Sequence, residues 1–192
     1  SETEIRTDYR ENRRELGKIL ASIDSLKADS DIILDSLFIK GFASPESPYS
    51  NNTRLAQGRT EALKHYVSQF YRFEDDFIST DFEPEDWAGL RKFVAESNID
   101  DKESILEIID SSLEPDPKEW KLKSTYPAQY KFLLDVCYPA LRHSDYKIWY
   151  KIHQFDDTNE IRKIFRARPS KLSLRELCNL GAPYEPGKEE LC

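Results

Sequence analysis

Residues 41–60 read GFASPESPYSNNTRLAQGRT: the end of a strand, a loop rich in Pro and Ser, then a helix. A helix turns about 100° per residue. Counted from Leu55, that step puts Ala62, Tyr66, Arg59, Phe70 and Leu63 within one arc, with Lys64, Glu61 and Ser68 opposite. Arg59 therefore falls among apolar positions. An unpaired charge facing a core is costly, so this arginine requires an anionic partner.

The chain around this stretch alternates sheet and helix signals. Tyr9, Leu16, Ile19, Leu20, Ile23 and Leu26 recur at three- and four-residue spacing, predicting an amphipathic helix over 8–28 entered through Thr7 or Asp8. A short strand is expected before it, around Ile5. SLFIKGFAS (36–44) alternates about Leu37 and Ile39 and reads as a buried strand ending near Gly41. Asn51 or Asn52 is the expected cap of the Arg59 helix, which runs to about Phe70. FISTDF (77–82) alternates again. The order β-α-β-α-β predicts an α+β fold, a sheet with helices packed on it.

After Pro84 the pattern changes. Trp87, Leu90 and Val94 share one helical face, Ile105, Leu106 and Ile109 mark a second helix, and Tyr130, Leu133, Leu134 and Cys137 a third. Residues 84–142 thus read as a helical insertion before the last strand. DYKIWYKI (145–152) sets Tyr146, Ile148, Tyr150 and Ile152 against Lys147, Trp149 and Lys151, a strand with one wet face that returns to the sheet. NEIRKIFRA and SLRELCNLG give two closing helices, the second with a capping box from Ser173 to Glu176 and a stop at Gly181. The expected division is a domain over 1–155 and a C-terminal helical extension over 156–192, which has the form of the start of a helical repeat.

Composition narrows the function. The 192 residues are enough for a real core, and 28 Lys+Arg against 36 Asp+Glu give a net charge of -8, which argues against nucleic-acid backbone binding but leaves room for a local cationic pocket. No apolar run approaches a membrane span. The polar start is no secretory signal, and the lack of any Met reads Ser1 as a processed start. Cys137, Cys178 and Cys192 have no paired spacing and form no ligand set with His65, His143 and His153, so neither a zinc site nor any other metal or cofactor is expected. Cys137, between Val136 and Tyr138, reads as a small core residue. The acidic residues Asp75, Asp76, Asp81, Glu83, Glu85 and Asp86 fit no calcium loop and read as a solvated edge. Trp87, Trp120 and Trp149 read as packing residues, with Trp149 on the wetter side of its strand. No spacing sets a nucleophile beside a base, so no enzyme is expected.

Asn52, Leu55, Ala56 and Arg59 form N-x-x-L-A-x-x-R behind a strand ending in Gly41. This resembles the OmpA-like peptidoglycan-associating C-terminal domain, whose signature is a strand, G-H-T-D, a loop, and N-x-x-L-S-x-x-R-A. Residues 35–82 carry the resemblance, and ALRHSDYKIWYKI is similar to the family's closing strand, with Arg142 in place of one of its two arginines. The wording G-x-A-S-P-E resembles a divergent branch from Gram-negative envelope proteins. The resemblance implies a βαβαβ two-layer sandwich with the insertion and the helical extension as additions. It also implies that Arg59 holds a carboxylate of the diaminopimelate in a peptidoglycan stem peptide, aided by Asn52, Leu55, Arg142 and the loop carrying Ala43, Ser44 and Glu46. A guanidinium fork matches a carboxylate bidentately, and backbone N–H groups at a helix start favour an anion. Where the family has its aspartate this chain has Ser44, which keeps a hydrogen-bonding group and loses the charge; Glu46 is the nearby substitute. The implied role is non-covalent anchoring of an outer-membrane or periplasmic protein to the cell wall. The alternative is a domain of this fold that has lost wall binding and serves as a protein-interaction module in a cell-surface assembly. A purely structural bridge between Glu46, or another carboxylate, and Arg59 is the plain reading of the same residues.

Overall fold

A computed structural model of the protein describes residues 12–181. The expected strand at Ile5, the start of the first helix at Thr7 or Asp8 with Tyr9, and Cys192 lie outside the described residues. Helix α1 (Asn12–Lys27) leads into strand β1 (Ile32–Phe42), then α2 (Tyr49–Phe70) and β2 (Ile78–Glu83). Helices α3 (Trp87–Glu96), α4 (Lys102–Ile109), α5 (Pro115–Thr125), α6 (Pro127–Phe132) and α7 (Tyr138–Leu141) follow, with a π-helical turn, Leu133–Cys137, between the last two. Strand β3 (Ser144–Ile152), α8 (Thr158–Ala167) and α9 (Leu174–Gly181) complete the described chain.

The fold is α+β, with a mixed three-stranded sheet in the order β2-β1-β3. Strands β1 and β2 run parallel, with Leu37 opposite Ile78 and Lys40 opposite Asp81. The expected return of 145–152 to the sheet holds: β3 lies beside β1, and the Phe42 N–H donates to the His143 carbonyl at 2.9 Å.

The described residues form two compact units, one of residues 12–30 and 34–150, the other of 31–33 and 151–181. In the first, Ile19 and Ile23 of α1 and Leu63 and Val67 of α2 pack against Leu37, Ile39 and Ile78 of the sheet. The alternation of β1 turns Lys40 to the other face, where its ammonium bridges Asp81 and Glu83, each at 3.2 Å. Gly41 is required where α2 presses on β1, because a Cβ there would lie 2.2 Å from Thr60 Oγ1 and 3.0 Å from the Ala56 carbonyl. The insertion has a core of its own, with Leu90, Ile105, Leu122, Leu133, Tyr138 and Leu141 among its buried members. Cys137 is buried in it, and burial pushes its thiol pKa up, in keeping with a packing role.

In the second unit Phe155, Ile161 and Leu172 form a small core with Ile164, Leu177 and Leu180 against it. The capping box forms: the Glu176 carboxylate accepts from the Ser173 N–H at 2.7 Å and hydroxyl at 2.6 Å, and its other oxygen accepts from the Phe155 N–H at 2.7 Å.

Three expectations need correction. Helix α2 starts at Tyr49 after Pro48, with no side-chain cap, so neither Asn51 nor Asn52 is the N-cap; proline's fixed φ positions the chain for the first turn instead. The buried face of α2 is Asn52, Ala56, Thr60, Leu63 and Val67, which is rotated about 60° from the apolar arc at 100° per residue and leaves Arg59 half-buried on its flank. Two members of the acidic run near β2 are not solvated: Glu85 and Asp86 are buried, and Asp86 caps α3 by accepting from the Gly89 N–H at 2.8 Å.

Candidate functional site

The C-terminal end of β1, the 43–48 loop, the start of α2 and the residues leading into β3 meet at one edge of the first unit. Parallel pairing continues into the loop: the Ala43 N–H donates to the Glu83 carbonyl at 3.1 Å, and the Ala43 carbonyl accepts from the Asp86 N–H at 3.0 Å. Ala43 and Ser44 are therefore held as an extension of the sheet, and both are buried. Strand β3 is preceded by Arg142, whose Nε donates to Ser44 Oγ at 3.0 Å while its Nη2 pairs with the Glu46 carboxylate. From the other side, Arg59 Nη1 donates to the Phe42 carbonyl at 3.4 Å.

The seven residues singled out in sequence thus occupy one edge, with unequal access. Arg59, Leu55 and Arg142 are half-buried and Glu46 is exposed, while Ala43, Ser44 and Asn52 are buried. Asn52 braces the loop. Both amide hydrogens of its Nδ2 are used internally, one on the Ser47 carbonyl at 2.6 Å and one on Glu85 Oε1 at 2.8 Å. Glu46 and Ser44 meet at Arg142 and share its one guanidinium.

Sequence reasoning missed the polar layer beneath the loop. Glu85 Oε2 accepts from Trp87 Nε1 at 2.8 Å, completing a chain Ser47–Asn52–Glu85–Trp87 that ties loop, α2 and α3 together. Burial pushes the Glu85 pKa above its ordinary value, opposed by the Asn52 and Trp87 bonds and reinforced by the charges of Asp116 and Glu119. Helix α5 docks on the start of α2 through Asp116 Oδ1, which accepts from the Tyr49 N–H at 2.8 Å. Glu119 of the same helix accepts a short hydrogen bond from the Tyr130 hydroxyl. Burial raises the Glu119 pKa too, with Tyr130 and Lys123 pulling it down and Asp116 and Glu46 pushing it up. The only local signal for this layer was proline at the start of α5, in PDPKEW.

Among the described residues no group of His, Cys, Asp or Glu is placed to hold a metal ion, and no helix is long and apolar enough to cross a membrane. Trp87 is built into the polar layer, whereas Trp120 and Trp149 are exposed and Trp149 meets Phe38 edge-on at 6.5 Å.

Fold and site together define an α+β domain whose loop edge gathers two arginines and, beneath them, a buried set of carboxylates. No protein-family model, curated protein or solved structure matches the chain significantly. The resemblance drawn above therefore rests on the sequence alone, chiefly on residues 35–82.

Proposed function

We propose that this chain is an OmpA-like βαβαβ domain that binds peptidoglycan without covalent chemistry, and that it anchors an outer-membrane or periplasmic protein to the cell wall. The carboxylate of diaminopimelate in the stem peptide is its ligand, taken by Arg59 and Arg142 at the loop edge. The observation that carries this reading is convergence: guanidiniums from α2 and from the lead-in to β3 both reach the three residues 42–44, at 3.4 Å from the Phe42 carbonyl and 3.0 Å from Ser44 Oγ. Two planar cationic forks on one short segment suit a carboxylate better than a single surface lysine would. Glu46 shields Arg142 in the free domain and yields it to the ligand. Such partly exposed ion pairs contribute about 0–1 kcal/mol, so the exchange is cheap.

A second reading is favoured by a specific observation. Ser44, Glu46 and Asn52 are all satisfied by the protein itself. A domain whose loop is closed in this way serves as an interaction module of a cell-surface assembly, with helices α3–α7 as the added surface.

Co-sedimentation with purified sacculi separates the two, backed by calorimetry with a soluble diaminopimelate-containing stem peptide. Wall binding predicts that the domain sediments, that Arg59→Ala abolishes this with little change in melting temperature, and that Glu46→Gln strengthens it by freeing Arg142. A wild-type domain that stays in the supernatant while capturing envelope proteins decides for the interaction module. Unfolding of Arg59→Ala identifies the arginine as structural.

A further inference from the structure

The second unit carries a charge run unlike the rest of the chain. Between residues 161 and 175 lie Arg162, Lys163, Arg166, Arg168, Lys171 and Arg175, six cations with no acid among them, although the chain's net charge is -8. In the first unit Lys40, Arg91, Lys131 and Arg142 each pair with an acid. Here Arg168 and Lys171 share Asp31, at 3.8 and 3.5 Å. Arg162, Lys163, Arg166 and Arg175 have no ion-pair or hydrogen-bond partner among the described residues, and all four are exposed. At 100° per residue Arg162, Arg166 and Lys163 fall within one arc of about 100° on α8, across the helix from Ile161 and Ile164 of the unit's small core.

Bare apolar side chains interrupt this cationic run. Leu174 is 83% exposed, the most exposed large apolar side chain among the described residues, and Phe165 is 49% exposed. Each is followed by an arginine, Arg175 and Arg166, and Phe165 lies one turn from Arg162, where side chains three apart are neighbours. A face kept only for solubility needs no such pair. Cations attract any polyanion, but the apolar residues choose among them. Nucleic acid offers Phe165 a base to stack on and gives an aliphatic Leu174 no comparable partner. An acidic protein would have to present a matching apolar pocket. An anionic bilayer meets both needs everywhere on its surface, with headgroup phosphates for the cations and acyl chains just beneath for Phe165 and Leu174. Because Ile161 and Ile164 are spent on the unit's own core, α8 docks as part of a folded surface rather than as a free amphipathic helix.

We propose that the cationic face of α8, together with Phe165, Leu174 and Arg175, docks on an anionic phospholipid bilayer. The contact is peripheral and needs no spanning helix. It does not rest on the wall-binding reading, whose arginines, Arg59 and Arg142, belong to the first unit.

Sedimentation of the full chain with vesicles tests this, using phosphatidylcholine alone and phosphatidylcholine mixed with phosphatidylglycerol. Wild-type protein is expected to bind only the mixed vesicles, and less as salt rises. The triple variant Arg162→Gln, Lys163→Gln, Arg166→Gln should bind about a hundredfold more weakly, at about fivefold per cation. Its melting temperature should not change, since the three side chains bond nothing among the described residues. Phe165→Ser with Leu174→Ser should weaken binding with every charge kept, and Leu174→Ser alone, at the barest position, serves if the double variant melts early. Arg59→Ala should leave vesicle binding intact, so that failure here and failure of wall binding are told apart. Absence of binding to the mixed vesicles, or equal binding by the triple variant or by Leu174→Ser, overturns the proposal. Tighter binding of a DNA duplex or of polyglutamate than of mixed vesicles overturns it too, and gives the face to nucleic acid or to an acidic protein.

Discussion

Replacing Asn52 by Asp tests the polar chain at its centre, with almost no change in shape. Asn52 is buried, and its Nδ2 lies 2.6 Å from the Ser47 carbonyl and 2.8 Å from Glu85 Oε1. In Asn52→Asp an oxygen takes the place of Nδ2 and faces two acceptors. Two ionised carboxylates in contact, at an effective dielectric near 20, repel by about 5 kcal/mol. Holding one proton between them at pH 7, against the ordinary glutamate value of 4.5, costs about 3 kcal/mol at roughly 1.4 kcal/mol per unit. The cheaper route wins, so the pair shares a proton. Loss of the Ser47 bond adds about 1–3 kcal/mol at any pH. The variant is therefore expected to lose about 4–6 kcal/mol at pH 7 but only about 1–3 kcal/mol at pH 4.5. Urea unfolding of wild type and variant from pH 7 to 4.5, followed by tryptophan fluorescence, gives the difference directly. Wild type has its own trend, which the subtraction removes. Because burial raises the folded pKa of Glu85 above its unfolded value, its contribution to stability falls as pH rises from 4.5 through the folded value. A difference between variant and wild type that stays constant across that range would refute the shared-proton account and the assigned role of Asn52.

Two further outcomes follow from packing and capping. Gly41→Ala drives a Cβ into Thr60 Oγ1 and should cost about 1–3 kcal/mol. Adding Thr60→Ala should recover part of the loss, leaving the Ala56 carbonyl contact at 3.0 Å, as read from melting temperatures of the single and double variants. In the second unit the Ser173 hydroxyl, then the Phe155 N–H, hold the Glu176 pKa below its ordinary 4.5. Its stabilisation is thus complete above 4.5 and lost as pH falls through the folded value. Glu176→Gln should flatten that acid limb, as reported by the opening free energies of the Phe155 and Glu176 amides in hydrogen exchange. An unchanged acid limb would mean that the capping box is not what holds this unit together.

What could be read in sequence depended on whether a residue's role is set by its neighbours along the chain. Strands β1, β2 and β3 and helices α2, α3, α4, α8 and α9 announce themselves by local period, and the Ser173–Glu176 box by its spacing. Helix α5 does not, because PDPKEWKLKST carries no apolar stripe: Leu122 is buried and Trp120 exposed, so only its two prolines mark it. The face of α2 was misjudged for a related reason. Hydrophobic pattern ranks Asn52 and Thr60 as outward, yet Asn52 turns inward to bind Glu85 and Thr60 to donate to the Ala56 carbonyl at 2.9 Å. Once those two polar residues define the inner face, Arg59 moves from the middle of the buried arc to its rim, where its guanidinium borders both water and the loop. The acids that hold the loop edge from the insertion side, Glu85 and Asp116, lie 33 and 67 positions from their partners Asn52 and Tyr49. No local pattern could have joined them, since they meet only through the tertiary packing of the insertion on its own core.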